Sequence, residues 1–116
     1  MKVLLAIEPR VYREAIGETI RTLRPHVEVF VLDPDALSAG VVRLDPELVL
    51  ADRSDSYAPT AARAAWVEYR PYERPPARIC VGGHRLELEE VAMGDLVSIV
   101  DEAEELARTT RELGNC

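Results

Sequence analysis

Hydrophobic residues along this chain change their spacing several times, and each change marks an element. Val3-Leu4-Leu5-Ala6-Ile7 is apolar without interruption over the length of a strand, the pattern of a strand covered on both faces. Pro9 suits the first turn of a helix, and Tyr12, Ile16, Ile20 and Leu23 then recur at helical spacing until Pro25 stops the segment. Arg13, Glu14, Glu18 and Arg21 fall on the other faces of that helix and are expected to be solvated. Val27–Leu32 reads as a second strand. Asp33-Pro34 reads as an N-cap with proline at the first helical position, opening a short helix through Leu37, Val41 and Leu44 that Gly40 makes marginal. Leu48–Ala51 completes a strand-helix-strand-helix-strand order, which argues for parallel strands joined by right-handed crossovers. Ligands gather at the carboxyl ends of strands in such sheets. Glu8, Asp33 and Asp52 each follow directly on a strand, so they are expected to share one edge.

The second half has a different rhythm. Residues 53–59 are polar and turn-rich, and Thr60–Ala65 has room for a turn or two of helix at most, so a regular crossover helix is expected to be missing. Trp66–Tyr69 resembles a fourth strand, followed by a link whose Pro71, Pro75 and Pro76 exclude regular central structure. Ala77–Leu88 alternates on both sides of Gly82-Gly83, the signature of a two-residue hairpin turn. Pairing Val81 with His84 sets Ile79 opposite Leu86 and Ala77 opposite Leu88 on an apolar face expected to be buried. The same register sets Arg78 opposite Glu87 and Cys80 opposite Arg85 on a charged one. A final helix is expected over Gly94–Leu113. Leu96, Ile99, Val100, Ala103, Leu106, Ala107 and Thr110 lie at helical spacing, acids stand early, Arg108 and Arg111 late, and Gly114 occupies the cap position.

Composition narrows the function classes. The chain of 116 residues fits one domain, read here as residues 1–113 with a short tail over 114–116. Its 47% apolar and 30% charged residues suit a globular protein. No apolar run reaches the ~20 residues of a membrane span. The opening run meets Glu8 and Pro9 too soon for a signal peptide, so the cytoplasm is the expected compartment. Cys80 and Cys116 show no metal or disulfide spacing and are expected to be free thiols. The net charge of −7, with neither a basic patch nor a basic tail, opposes attraction to nucleic acid or an anionic membrane.

The Lys2–Ile7 strand, the Tyr12-Arg13-Glu14-Ala15-Ile16 helix, the Asp45-Pro46-Glu47-Leu48-Val49-Leu50-Ala51-Asp52 segment and the last helix together resemble a response-regulator receiver domain. That resemblance implies a flavodoxin/CheY-like three-layer α/β sandwich with a mostly parallel sheet, here modified by a C-terminal β-hairpin before the last helix. It also implies that Asp52 stands where the family accepts phosphate. The family's paired acids after the first strand are reduced to Glu8, which Pro9 follows. Its small hydroxyl residue after the fourth strand has no clear match, since Trp66–Tyr69 runs into Arg70 and Pro71. Its lysine cannot be supplied either, because Lys2 is the only lysine in the chain. The resemblance therefore implies a pseudo-receiver, with Asp52 and Glu8 as a vestigial acidic pocket.

No residue is expected to be catalytic or to ligate a metal. His26 and His84 read as structural or surface histidines, Trp66 as core and Tyr72 as exposed. Asp52 is expected to bind Arg53 and backbone amides, and Glu8 to favour the N-terminus of the helix after it. Asp52 and Asp55 with Glu8 match the acidic set of Toprim-like domains poorly. The expected function is a noncatalytic signalling or regulatory module that binds a protein through Arg78, Cys80, Arg85 and Glu87, without a cofactor. Homodimerisation through the hairpin and final helix is part of that expectation. The alternative is a phosphorylatable or magnesium-dependent domain using Asp52 and Glu8.

Overall fold

The continuous apolar runs become the middle of a mixed sheet. In the computed structural model, which describes residues 1–53, 63–109 and 116, β1 (Lys2–Ala6) lies between β2 (Glu28–Val31) and β3 (Leu48–Ala51). β4 (Ala65–Tyr69) follows β3, and the three pairings among β1, β2 and β3 and between β3 and β4 are parallel. β5 (Ala77–Val81) and β6 (His84–Leu88) extend the sheet with antiparallel pairings, giving the order β2-β1-β3-β4-β5-β6. The helices among the described residues are α1 (Arg10–Leu23), α2 (Leu37–Leu44), which follows a 3-10 turn over Pro34–Ala36, and α3 (Met93–Thr109).

This overturns the expected CheY-like three-layer sandwich. Among the described residues three α-helices accompany a sheet that is antiparallel at its C-terminal end, where that fold needs five helices around a parallel sheet. The cause lies in the link from β4 to β5. Parallel strands need a crossover of a dozen or more residues, whereas Arg70–Pro76 is short and proline-rich. The Arg70 N–H donates to the Pro76 carbonyl at 2.7 Å and the Glu73 N–H to the Arg70 carbonyl at 3.0 Å, so the chain reverses on the spot. The hairpin itself has the expected register, from Val81 opposite His84 to Ala77 opposite Leu88. Gly82 and Gly83 turn it with φ of 57° and 88°, the left-handed pair that a twisted hairpin requires. Leu86, expected on a buried face, is half exposed because β6 ends the sheet.

Strand alternation sorts the core into two layers. Val3, Leu5, Leu48, Leu50, Val67 and Ile79 meet Ile16 and Ile20 of α1 and Leu96, Ile99, Val100 and Ala103 of α3. Leu4, Ala6, Val49, Ala51 and Trp66 meet Leu37 and Val41 of α2. Gly17 lets α1 approach the sheet, since a Cβ there would stand 2.9 Å from Val31 Cγ2. α1 and α3 are also clamped by charge, with Arg24 Nε and Nη2 donating to the two Asp101 carboxylate oxygens at 2.7 and 2.8 Å. Beside them His26 Nε2 lies 2.8 Å from Glu104.

Neither cysteine is a free thiol. Cys80 and Cys116 form a disulfide across 36 positions of sequence, with Cα atoms 5.7 Å apart. The Cys116 carbonyl accepts the Arg63 N–H at 3.2 Å, and its Sγ faces the Gly83 N–H at 3.4 Å. Arg63 is buried at this end of the sheet and donates from Nη1 to the Pro46 carbonyl at 2.7 Å. Burial pulls its guanidinium below the ordinary range, while Asp45 and Glu47 act in the opposite direction. The helical turn expected over Thr60–Ala65 falls mostly outside the described residues, and Ala65 itself opens β4. The end of the last helix beyond Thr109 and the cap expected at Gly114 also lie outside them. A Cα radius of gyration of 12.6 Å is that of a compact chain of this length. Among the described residues no helix is long and apolar enough to cross a membrane.

Two predictions follow from these tethers. Closing a loop of 36 positions constrains the unfolded chain, so Cys116→Ser should lower unfolding stability by about 2–4 kcal/mol in urea titrations. Iodoacetamide should label neither cysteine of the denatured protein until reductant is added, and labelling without reductant would disprove the bond. The second concerns acid. Arg24 hydrogen bonds hold the Asp101 carboxyl below its usual range, so the clamp contributes fully above the ordinary carboxylate value and is lost as pH falls through the lowered one. Asp101→Asn should thus melt below the wild type at neutral pH, with the two curves converging in acid.

Candidate functional site

The parallel strands β1, β2 and β3 end on the same edge, and their terminal acids meet there as the sequence suggested. Each acid is already engaged by an arginine. Arg13 rises from the first turns of α1 on the stripe that carries Ile16 and Ile20, so helical geometry buries it where solvent was expected. Its Nη1 donates to the Ile7 carbonyl at 3.2 Å and to Glu8 Oε1 at 3.1 Å, and its Nη2 lies 4.0 Å from Asp33 Oδ2. Asp33 also caps the 3-10 turn by accepting the Asp35 N–H at 2.9 Å.

Asp52 sits one residue beyond β3 with Arg53 Nε 3.5 Å from its Oδ1. That oxygen is buried and accepts no hydrogen bond. Arg53 Nη2 stands 3.9 Å from Asp35 Oδ1 as well. Backbone contacts fix the rest of the edge: Arg70 Nε donates to the Asp52 carbonyl at 2.8 Å and Trp66 Nε1 to the Arg53 carbonyl at 2.7 Å. Glu8 and Asp52 line one depression of about 420 Å³ with Arg53, Tyr69, Arg70 and Tyr72. Tyr12 and Tyr72 stack beside it with ring centroids 6.2 Å apart. A hydrogen bond with Tyr12 raises the Tyr72 phenol above its usual range, and burial raises that of Tyr69.

A magnesium ion does not fit this donor set. Arg13 lies against Glu8 and Arg53 against Asp52, so guanidinium groups hold the carboxylates that the ion would need. Among the described residues no group of three or more His, Cys, Asp and Glu side chains is placed to hold a metal. Asp55 lies outside the described residues. Lys2 is at the opposite end of the sheet, its Nζ donating to the Leu44 carbonyl at 3.3 Å.

The second grouping lies on the sheet face shared with α2, farther along the strands. Antiparallel pairing sets Glu68 opposite Arg78 and Arg78 opposite Glu87, and likewise Trp66 opposite Cys80 and Cys80 opposite Arg85. Two rungs therefore cross three strands, one charged throughout and one running from an indole through the disulfide to a guanidinium. Arg78 Nε donates to Glu87 Oε2 at 3.1 Å, and Arg70 Nη2 pairs with Glu68 at 3.2 Å. These residues line an open depression of about 690 Å³. Arg78, Cys80, Arg85 and Glu87 are thus brought together, but Cys80 is buried and bonded to Cys116. Sequence reading missed Arg13, whose place three positions before Ile16 was the available signal. It missed the disulfide, for which local spacing carries none.

Comparison with protein-family models, curated proteins and solved structures finds no match.

The burial of Arg13 generates a stability test. Arg13→Ala removes a charged donor from a buried carbonyl and a carboxylate, and should cost about 2–3 kcal/mol in urea unfolding. Arg10→Ala, which breaks only an exposed pair with Glu14, should leave the transition unchanged. Equal transitions for the two variants would mean that the strand-end acids need no internal cation.

Proposed function

We propose that this protein is a noncatalytic regulatory module that acts by holding another protein on the β4–β6 face. The observation that carries this reading is the three-strand ladder of Trp66, Glu68, Arg78, Arg85 and Glu87 around the open depression. Arginine side chains suit recognition because they give contact area and directed hydrogen bonds together, and the buried Trp66 floors the depression. The neutralised strand-end acids support binding rather than turnover. Of the receiver resemblance the regulatory role is kept, and the receiver fold is not. A cytoplasmic location remains part of the proposal, although a disulfide is more at home in an oxidising compartment. The net charge of −7 favours a protein partner over nucleic acid or an anionic membrane.

One observation favours the rival, a domain phosphorylated at Asp52 with Glu8 assisting: both carboxylates line the same depression. The two readings separate experimentally. Acetyl phosphate or beryllofluoride with magnesium should add no mass to the protein and leave the amide spectrum around Asp52 unchanged. An adduct abolished by Asp52→Asn would establish the rival. In affinity isolation, a partner retained by the wild type and by Asp52→Asn should be lost by Arg78→Glu combined with Arg85→Glu.

A further inference from the structure

The two outer strands of the sheet are treated differently. On β2, Arg21 Nη2 donates to the Val29 carbonyl at 2.9 Å, so a side chain already occupies the outward-facing backbone. Blunting an edge in this way opposes pairing with another chain. β6 ends the sheet on the other side, and four of its five residues are exposed.

Pairing in β6 follows from the hairpin. In a two-residue turn the closing pair, Val81 and His84, exchanges both backbone hydrogen bonds, and the exchange recurs at every second pair. His84, Leu86 and Leu88 therefore direct their N–H and C=O groups toward β5. Arg85 and Glu87 direct theirs outward. The sequence between them is self-complementary. If a second β6 lies antiparallel across a two-fold axis through Leu86, Arg85 faces Glu87 of the other copy and Glu87 faces its Arg85. Leu86, 48% exposed, then meets its own equivalent on the opposite face of the sheet.

From this we infer that β6 is the site of homodimerisation, with a second copy of this chain as its occupant and Leu86 on the symmetry axis. The inference rests on the interaction-module reading and names its partner. Four backbone hydrogen bonds, two from each of the outward-facing residues' pairs, join the sheets into one. Each Glu87 also faces Arg78 within its own protomer, so the charged rung continues across the axis as Glu68, Arg78, Glu87 and the other copy's arginine. Opposite charges directly across a strand pair favour this register, and a slip by one residue sets like side chains against each other or removes the pairing.

Sedimentation equilibrium between micromolar and submillimolar concentration tests the proposal. The wild type should form a dimer, and Leu86→Lys, which places two ammonium groups across the axis at an exposed site, should raise the dissociation constant at least tenfold. Arg85→Glu should do the same by opposing two acids, while Arg85→Glu combined with Glu87→Arg should recover dimerisation. Glu28→Arg on β2 should change nothing. Register is read by mild oxidation of Leu86→Cys, which should give a covalent dimer, whereas Glu28→Cys should not. A monomeric wild type, or a dimer unaffected by Leu86→Lys and uncrosslinked through Leu86→Cys, overturns self-pairing. Neither result touches the response to phosphoryl donors or the loss of another partner by the β4–β6 face variants, so the two readings fail separately.

Discussion

The reversal enforced between β4 and β5 is the constraint from which the rest of this architecture follows. Arg70–Pro76 lacks the length and the backbone donors for a crossover helix, and the hydrogen bond from Arg70 to the Pro76 carbonyl closes it as a loop. The sheet consequently changes from parallel to antiparallel after β4. That change puts a hairpin at the edge and leaves α3 to return across the layer that α1 already covers. The same reversal carries Cys80 to a place that Cys116 can reach.

Charge is handled in two contrasting ways at the two ends of this arrangement. At the strand ends one buried guanidinium, that of Arg13, serves a carbonyl and two acids, and Arg53 stands against the third. Groups matched in this manner stabilise a loop edge but have little capacity left to attract a further ion. Along β4–β6 the charges alternate across the strands instead, with Glu68 largely covered and Arg78 and Glu87 exposed. The attraction between Arg78 and Glu87 is screened, so it adds little to folding stability. Position in the sheet, and not residue type, separates the two behaviours.

Much of the fold was legible because local rules fixed it. The uninterrupted apolar runs of β1 and β3, the helical stripe of α1 and the Gly-Gly hairpin with its register all rest on residues close in sequence. The fold class was not, because the number of helices and the sense of the last strands depend on how a proline-rich link closes, which periodicity does not register. Glu8, Asp33 and Asp52 were correctly gathered on one edge by topology alone. The pairing of Glu8 and Asp33 with Arg13 was hidden because arginine counts as a surface residue in a helical pattern, although its position on the Ile16–Ile20 stripe already pointed inward. Cys80 and Cys116 could not be paired by spacing, since their approach is a product of the completed sheet.

Joining Cys80 to Cys116 also changes how the molecule would transmit a mechanical load. Tension applied between Met1 and Cys116 passes through the disulfide into β5 and leaves the intervening segment, with β6 and α3, outside the force path. Extension of the 36 positions between the cysteines, worth about 120 Å of contour at the maximum rise per residue, would then be withheld until the bond is reduced. The chain is thereby divided into a longer part that bears load and a shorter one that merely rides on it, a partition set by covalent connectivity and independent of how firmly either part is folded.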